Sequence, residues 1–318
     1  MTNVATGSEG RPQITAAMVK ELREQTGAGM MDVKSALTEA GGNMEEATKI
    51  LRKKGLAAAG KKAGRITAEG AVTAHVGDNV GVLVEVNCET DFVGRNENFR
   101  HFAEDVAKVI AKSKAGSVEA LNSEPWPGDA EGQTVGQHVL SMIGAIKENI
   151  AIRRFVRYES AAGAVLSSYI HAGGKIGVLV ELIATSGEKS ARMNEIARDV
   201  AMHIAAAEPR FIRREEVTQK DLDTEREIAR DAAAKSGKPE NIIEKMVIGK
   251  MDKFYGEACL LEQPYIRNDK QTVNDYLAAS GKESGCAYTV TRFTRYKLGE
   301  GIEKKGDDFA AEVASYMK

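Results

Sequence analysis

The chain has 318 residues, with 44 Lys and Arg against 46 Asp and Glu, a formal net charge of −2. Hydrophobic residues make up 42% and charged residues 28%, the balance of a soluble globular protein long enough for about two domains. This composition gives no bulk attraction for nucleic acid or an anionic membrane, no run of about 18 apolar residues suits a membrane span, and the widely spaced Cys88, Cys259 and Cys286 make neither a disulfide framework nor a CxxC pair.

The first dozen residues are polar and carry no apolar stretch. Residues 1–13 read as a disordered tail without a signal peptide, and the whole as a cytoplasmic protein with reduced thiols. Beyond the tail, Ile14, Met18 and Leu22 share one helical face, with Thr15 as N-cap. The GAGMM turn at residues 27–31 ends that helix, and a second is predicted over residues 32–40, stopped by Gly41 and Gly42. Asn43 and Glu46 have capping-box spacing for a third helix to about Lys54. Together residues 14–56 make a minimal three-helix bundle, and residues 57–69, opening on AAAGKKAGR, read as a linker or a frayed helix extension.

An internal repeat dominates the middle of the chain. Gly81-Val82-Leu83-Val84-Glu85 recurs as Gly177-Val178-Leu179-Val180-Glu181, and Gly70-Ala71-Val72 has its counterpart in Gly163-Ala164-Val165. Phe99, Phe102, Val106 and Ile110, at helical spacing, correspond to Met193, Ile196, Val200 and Ile204. A period of roughly 95 residues is too long for a solenoid and points to one duplicated domain. Each copy reads as strand, turn, strand, helix: strands at 71–76 and 80–87 around Gly77-Asp78-Asn79 in the first, and a turn at Ala172-Gly173-Gly174 in the second. Residues 149–158 and 287–298 are further strand candidates. Between them, residues 219–235 and a helix opening at Pro239, with an apolar stripe of Ile242, Met246, Val247, Met251 and Phe254, are joined so tightly that they must be antiparallel. The tail ends in an amphipathic helix carrying Phe309 and Val313.

The expected fold class is therefore α+β. An N-terminal three-helix module precedes a duplicated core of antiparallel sheet covered by helices, with an inserted antiparallel helical hairpin and a C-terminal helix. Its expected divisions are a first core subdomain at 70–160, a second at 161–218 and 264–298, the hairpin at 219–263 and a C-terminal helical module at 299–318.

Motifs for chemistry are missing. There is no GxxxxGK[ST] phosphate loop and no GxSxG elbow, and the five histidines, His75, His101, His138, His171 and His203, show no HExxH or other metal spacing. Neither a cofactor nor a metal is expected, and the scattered carboxylates read as solvated surface charge. The informative place is a difference between the repeats. After its GVLVE strand the first copy continues Val86-Asn87-Cys88-Glu89-Thr90-Asp91-Phe92-Val93-Gly94-Arg95-Asn96, while the second continues Leu182-Ile183-Ala184-Thr185-Ser186-Gly187-Glu188. Only the first puts an acid beside a large aromatic. Asp91 and Phe92 either form a protruding tip, or Phe92 packs on the core and Asp91 caps a turn. Met30 and Met31 are either an exposed adaptable contact or internal packing, and His171 is a turn histidine with no marked pattern of its own.

Four segments in order, VKELREQTGAGMMDVKSAL, VNCETDFVGRN, GKPENIIEKMV with FYGEACLLEQPY, and GEGIEKKGDDFAAEV, resemble the elongation factor Ts family from Ile14 to the end of the chain. The resemblance implies an exchange factor for the GTPase elongation factor Tu, a translation protein without covalent catalysis. It implies a ubiquitin-associated-like N-terminal module, two similar α+β subdomains and a coiled-coil module in the inserted pair. By resemblance, Thr90, Asp91, Phe92 and Val93 approach the partner's magnesium and nucleotide site, with Phe92 as a wedge. Lys20, Met30 and Met31 face a helix of the GTPase domain, His171 faces another domain of the partner, and the helix around Phe309 touches the GTPase domain. A homodimer or 2:2 complex through the helical hairpin is the assembly left open, and neither nucleic acid nor membrane is an expected partner. Two departures stand out: Gly94 occupies a position where Ala is common, which would loosen the loop, and the extension before Ile14 is long. The competing reading, a nucleic-acid-binding translation protein, would use Lys61, Lys62 and Arg65 with Arg153 and Arg154, against an aromatic content of 5%.

Overall fold

The computed structural model describes residues 14–303, apart from residues 63, 78, 130–131 and 187–191. The expected C-terminal helix and Phe309 lie outside the described residues. Helix α1 (Ala16–Thr26) starts where the Thr15 hydroxyl accepts from the Met18 N–H at 3.2 Å, and it stops at Gly27 in the left-handed conformation. Helix α2 (Met30–Glu39) begins two residues earlier than its pattern suggests, because Gly29 serves as N-cap and both methionines propagate helix well. Helix α3 (Met44–Gly60) is capped by Asn43 Oδ1 accepting from the Glu46 N–H at 3.0 Å, and it runs on past Lys54 to Gly60. Leu22, Val33, Ala36, Leu37 and Ala47 fill the core of this bundle.

The duplicated core follows as β1 (Glu69–Val76), β2 (Val80–Cys88), the single-turn helix α4 (Asp91–Gly94), α5 (Glu97–Lys112), α6 (Val118–Ser123), α7 (Val135–Ile146) and β3 (Ile150–Glu159). The second copy holds β4 (Ala164–His171), β5 (Ile176–Ser186), α8 (Met193–Ala207), the hairpin helices α9 (Gln219–Ala234) and α10 (Glu240–Ala258), the short β6 (Pro264–Tyr265) and β7 (Asn268–Thr272), α11 (Val273–Ser284) and β8 (Ala287–Lys297). The sheets have matching orders, β1-β2-β3 and β4-β5-β8. Pairing in the second is antiparallel, Ala164 opposite Ile183 through His171 opposite Ile176, then β5 against β8. Phe99, Phe102, Val106 and Ile110 of α5, and Met193, Ile196, Val200 and Ile204 of α8, are all buried, as their shared 3.6-residue spacing requires.

The repeat extends to elements whose sequence is harder to read. Helices α7 and α11 each precede the third strand of their sheet. Each opens on a reciprocal capping box, Thr134 with Gln137 and Thr272 with Asp275, and each ends on a left-handed residue, Lys147 at φ 69° and Gly285 at φ 66°.

Two compact units emerge, whose boundary cuts through β1, β2 and β3: one holds the chain to Ala71, Val84–Phe155 and the residues from Leu298, the other Val72–Leu83 and Val156–Lys297. In the first unit the helical bundle docks on α7 through a glycine crossing. A Cβ on Gly144 would stand 2.8 Å from Gly55 Cα, so two glycines let α3 and α7 touch backbone to backbone. Trp126 and His138 stack at 4.0 Å and Trp126 and Phe102 at 5.9 Å, tying α7 to α5. In the second unit the repeated GVLVE motif packs on its own copy. A Cβ on Gly81 would meet Leu179 Cδ1 at 2.8 Å, and one on Gly177 would meet Leu83 Cδ1 at 2.9 Å. Each glycine leaves room for the other copy's leucine, and Gly177 also for Val72, whose Cγ1 would stand closer still to such a Cβ.

Both repeat glutamates are buried ion-pair centres. Glu85 accepts from Arg153 at 2.9 Å, Arg154 at 2.6 Å and the Gly299 N–H at 2.8 Å. Glu181 accepts from Arg292 at 3.0 Å, Thr291 at 2.7 Å and the Ala161 N–H at 3.1 Å. A register shift in β8 presents both Thr291 and Arg292 to Glu181. Burial alone would raise both carboxyls, but these donors outweigh it and hold both below the ordinary value of 4.5.

Candidate partner-binding site

Strand β2 ends at Cys88, and the chain then turns twice within a few residues. Thr90 is extended, at φ −122° and ψ 154°, and caps α4 with its hydroxyl 3.4 Å from the Val93 N–H. Asn96 Oδ1 caps α5, accepting from Asn98 at 3.0 Å and Phe99 at 3.3 Å. Between the two caps, α4 turns one side inward: Gly94 is buried, Val93 is half-buried, and Phe92 keeps 82% of its surface exposed. Asp91 pairs with Arg95 at 2.8 Å, one helical turn on. The open alternatives for Phe92 therefore resolve to a protruding tip. Gly94 does not loosen the loop. A Cβ there would meet the Gly70 carbonyl oxygen at 2.9 Å, so the glycine seats α4 directly on the start of β1.

The tip is held from below. The Glu148 carboxylate accepts from the N–H of Glu89 at 3.1 Å and of Thr90 at 3.0 Å, and from the Thr90 hydroxyl at 2.6 Å. Glu89 returns the contact by accepting from the Asn149 N–H at 2.6 Å, and it pairs with Arg65 at 3.2 Å. The Cys88 thiol donates to the Thr90 carbonyl at 3.1 Å; burial, then the nearby Glu148 and Glu69 charges, push it up to about 12. Sequence reading missed Glu148, which stands in a polar Lys-Glu-Asn run without spacing or periodicity to mark it.

Met30 and Met31 occupy the first turn of α2 rather than a turn before it, 59% and 76% exposed. Beside them Met31, Lys34, Ser35, Thr38 and Glu39 line a shallow depression. Lys20 is exposed on α1 and lies 3.8 Å from Glu24. His171 closes β4 on the second unit, exposed, with Nδ1 3.1 Å from the Tyr169 hydroxyl. Of the basic residues considered for nucleic acid, Lys61 and Arg65 are exposed and four are engaged within the first unit. Arg153 and Arg154 hold Glu85, Arg65 holds Glu89, and Lys62 donates to the Lys147 carbonyl. Among the described residues no group of three His, Cys, Asp or Glu could hold a metal ion, and no helix is long and apolar enough to cross a membrane.

The family model described as Elongation factor TS matches residues 89–300, opening on the segment that forms the tip. Elongation factor Ts of Syntrophotalea carbinolica is 52% identical over 306 residues, covering 96% of this chain and 100% of the relative. The chain belongs to the elongation factor Ts family. Elongation factor Ts of Trichlorobacter lovleyi is 51% identical, covering 95% of this chain and 98% of its own, and that of Magnetococcus marinus is 48% identical with 96% and 99% covered. As a member of the elongation factor Ts family the chain is a translation elongation factor of the nucleotide-exchange type, without covalent catalysis of its own.

Proposed function

We propose that the chain binds elongation factor Tu carrying GDP and promotes GDP release by driving Phe92 beside the GTPase's magnesium and phosphate site. The observation that carries this reading is an aromatic side chain left 82% exposed on a turn whose backbone is anchored by Glu148, Glu89 and Gly94. A GTPase holds GDP through Mg²⁺ and oriented donors to the phosphates. An exchange factor has only to bind the nucleotide-free state better than the loaded one, and each ligand then weakens the other equally. Burying a Phe supplies about 1.5–3 kcal/mol. At about 1.4 kcal/mol per tenfold, that accounts for roughly 10–100-fold in GDP affinity if the aromatic pocket exists only once the phosphate site has opened.

Supporting contacts would come from Met30, Met31 and Lys20 on the helical module and from His171 on the second unit, with Phe309 as the family's further contact. Exposed methionines form an adaptable apolar surface, which suits a helix of the partner. The magnesium and phosphate disturbance belongs to Thr90, Asp91, Phe92 and Val93 together. Such a partner sets the protein in the cytoplasm, where free Cys88 and Cys259 are in keeping with their burial.

Release of fluorescent GDP from elongation factor Tu tests the reading. Phe92→Ala is expected to slow stimulated release by about tenfold or more while melting as the parent does; unchanged stimulation overturns it. The hairpin carries Ile228 and Ile248 exposed at 57% and 63%, which supports a homodimer or 2:2 complex through α9 and α10. Sedimentation of Ile248→Asp checks this: a mass lowered to the monomer or 1:1 value is expected, and an unaltered mass removes the hairpin from the assembly.

A further inference from the structure

The loop between α7 and β3 touches both candidate contact surfaces of the first unit. Lys147 Nζ pairs with Asp32 at 2.8 Å, one residue beyond Met31 on α2. Glu148 holds the Glu89 and Thr90 backbone under the Phe92 tip. Asn149 donates from its side chain to the Arg65 carbonyl at 3.0 Å and from its backbone to Glu89 at 2.6 Å. Three consecutive residues thus connect α2, the stretch after α3 and α4. The backbone of this loop is itself specialised. Lys147 sits at φ 69°, a conformation L side chains rarely adopt, and the second repeat uses Gly285 at the matching place. Helix termination alone asks for glycine there. A lysine in that conformation places its ammonium on Asp32, a connection that a glycine cannot make, while its backbone carbonyl accepts from Lys62.

We propose that Lys147, Glu148 and Asn149 form a bracket that fixes the Phe92 tip in register with the Met30–Met31 face, and that Glu148 is a positioning residue for nucleotide exchange. This rests on the exchange reading above. A wedge must arrive at one place as the second surface docks, and a misplacement of about 1 Å can cost up to about 100-fold where geometry decides a rate. The Glu148 carboxylate supplies the placement, since it engages two backbone N–H groups and the hydroxyl of the residue that caps the tip.

The test is GDP release from elongation factor Tu across a range of factor concentrations, for the full-length chain and for Glu148→Ala, Glu148→Gln, Lys147→Gly and Phe92→Ala. Glu148→Ala is expected to lower the rate at saturation about tenfold with a half-saturating concentration changed less than about threefold. Glu148→Gln keeps a carbonyl oxygen for the two N–H groups and is expected within about threefold of the parent rate. Lys147→Gly suits the backbone, so it is expected to fold normally and to raise the half-saturating concentration about three- to tenfold with the saturated rate kept. A Glu148→Ala variant at the parent rate beside a slow Phe92→Ala overturns the bracket and leaves the exchange reading standing. A Phe92→Ala variant at the parent rate overturns the exchange reading itself. If Glu148→Ala does not fold, Lys147→Gly decides, and parent kinetics in that variant overturn the bracket.

Discussion

At the scale of single residues, the tip is a set of small constraints around one unpacked ring. Gly94 presses α4 onto β1, Thr90 caps it, and Cys88 and Glu148 hold the cap. Cys88 is fully buried and its thiol is pushed up to about 12, so at neutral pH it stays protonated and keeps donating to the Thr90 carbonyl. Alkylation of the native protein followed by peptide mass mapping is expected to label the half-buried Cys286 while sparing Cys88 until the chain unfolds. Labelling of native Cys88 at the rate of Cys286 would show the loop opening far more freely than its contacts allow. Residue pattern alone left Phe92 undecided, because an aromatic beside an acid packs inward or outward according to what lies under its neighbours. Here that is decided by Gly70 and Glu148, 22 positions before Phe92 and 56 after it.

Among the elements, the paired repeats show what periodicity can and cannot disclose. The two hairpins and helices α5 and α8 were legible because alternation and 3.6-residue spacing select one face each. Helix α7 was not, since VGQHVLSMIGAI is apolar around most of its circumference and carries two glycines; its Thr134–Gln137 capping box was the available signal. Helix α11 hides in the same way, with Asp275 in place of the usual Glu or Gln. The most informative shared feature is the buried glutamate of each GVLVE strand. Because Glu85 and Glu181 are both held below 4.5 in the folded chain, their stabilisation is complete above that pH and is lost as the pH falls through their folded values. Glu181→Gln is expected to cost about 1.5–3 kcal/mol at neutral pH, the worth of hydrogen bonds to a charged group. It should also flatten the acid limb of a urea-denaturation series. An acid limb as steep as the parent's would mean that other carboxyls govern the loss.

Across the whole molecule, the two copies are similar scaffolds, and the exposed features that the proposed function draws on are distributed unequally between them. The first copy carries α4 with its exposed Phe92, and the second carries the inserted hairpin and ends β4 on exposed His171. The α+β class, the bundle and the repeat were all readable, since each follows from spacing within one segment. The docking of α3 on α7 through Gly55 and Gly144 was not, because nothing in either helix names the other. The central claim is that the Phe92 tip binds the nucleotide-free partner in preference to the loaded one. Its most direct measurement is the ratio of affinities for nucleotide-free and GDP-bound elongation factor Tu, for the parent and for Phe92→Ala. The account predicts that the substitution narrows the ratio about tenfold or more, chiefly by weakening the nucleotide-free complex. A ratio left unchanged, with both affinities reduced alike, would contradict it.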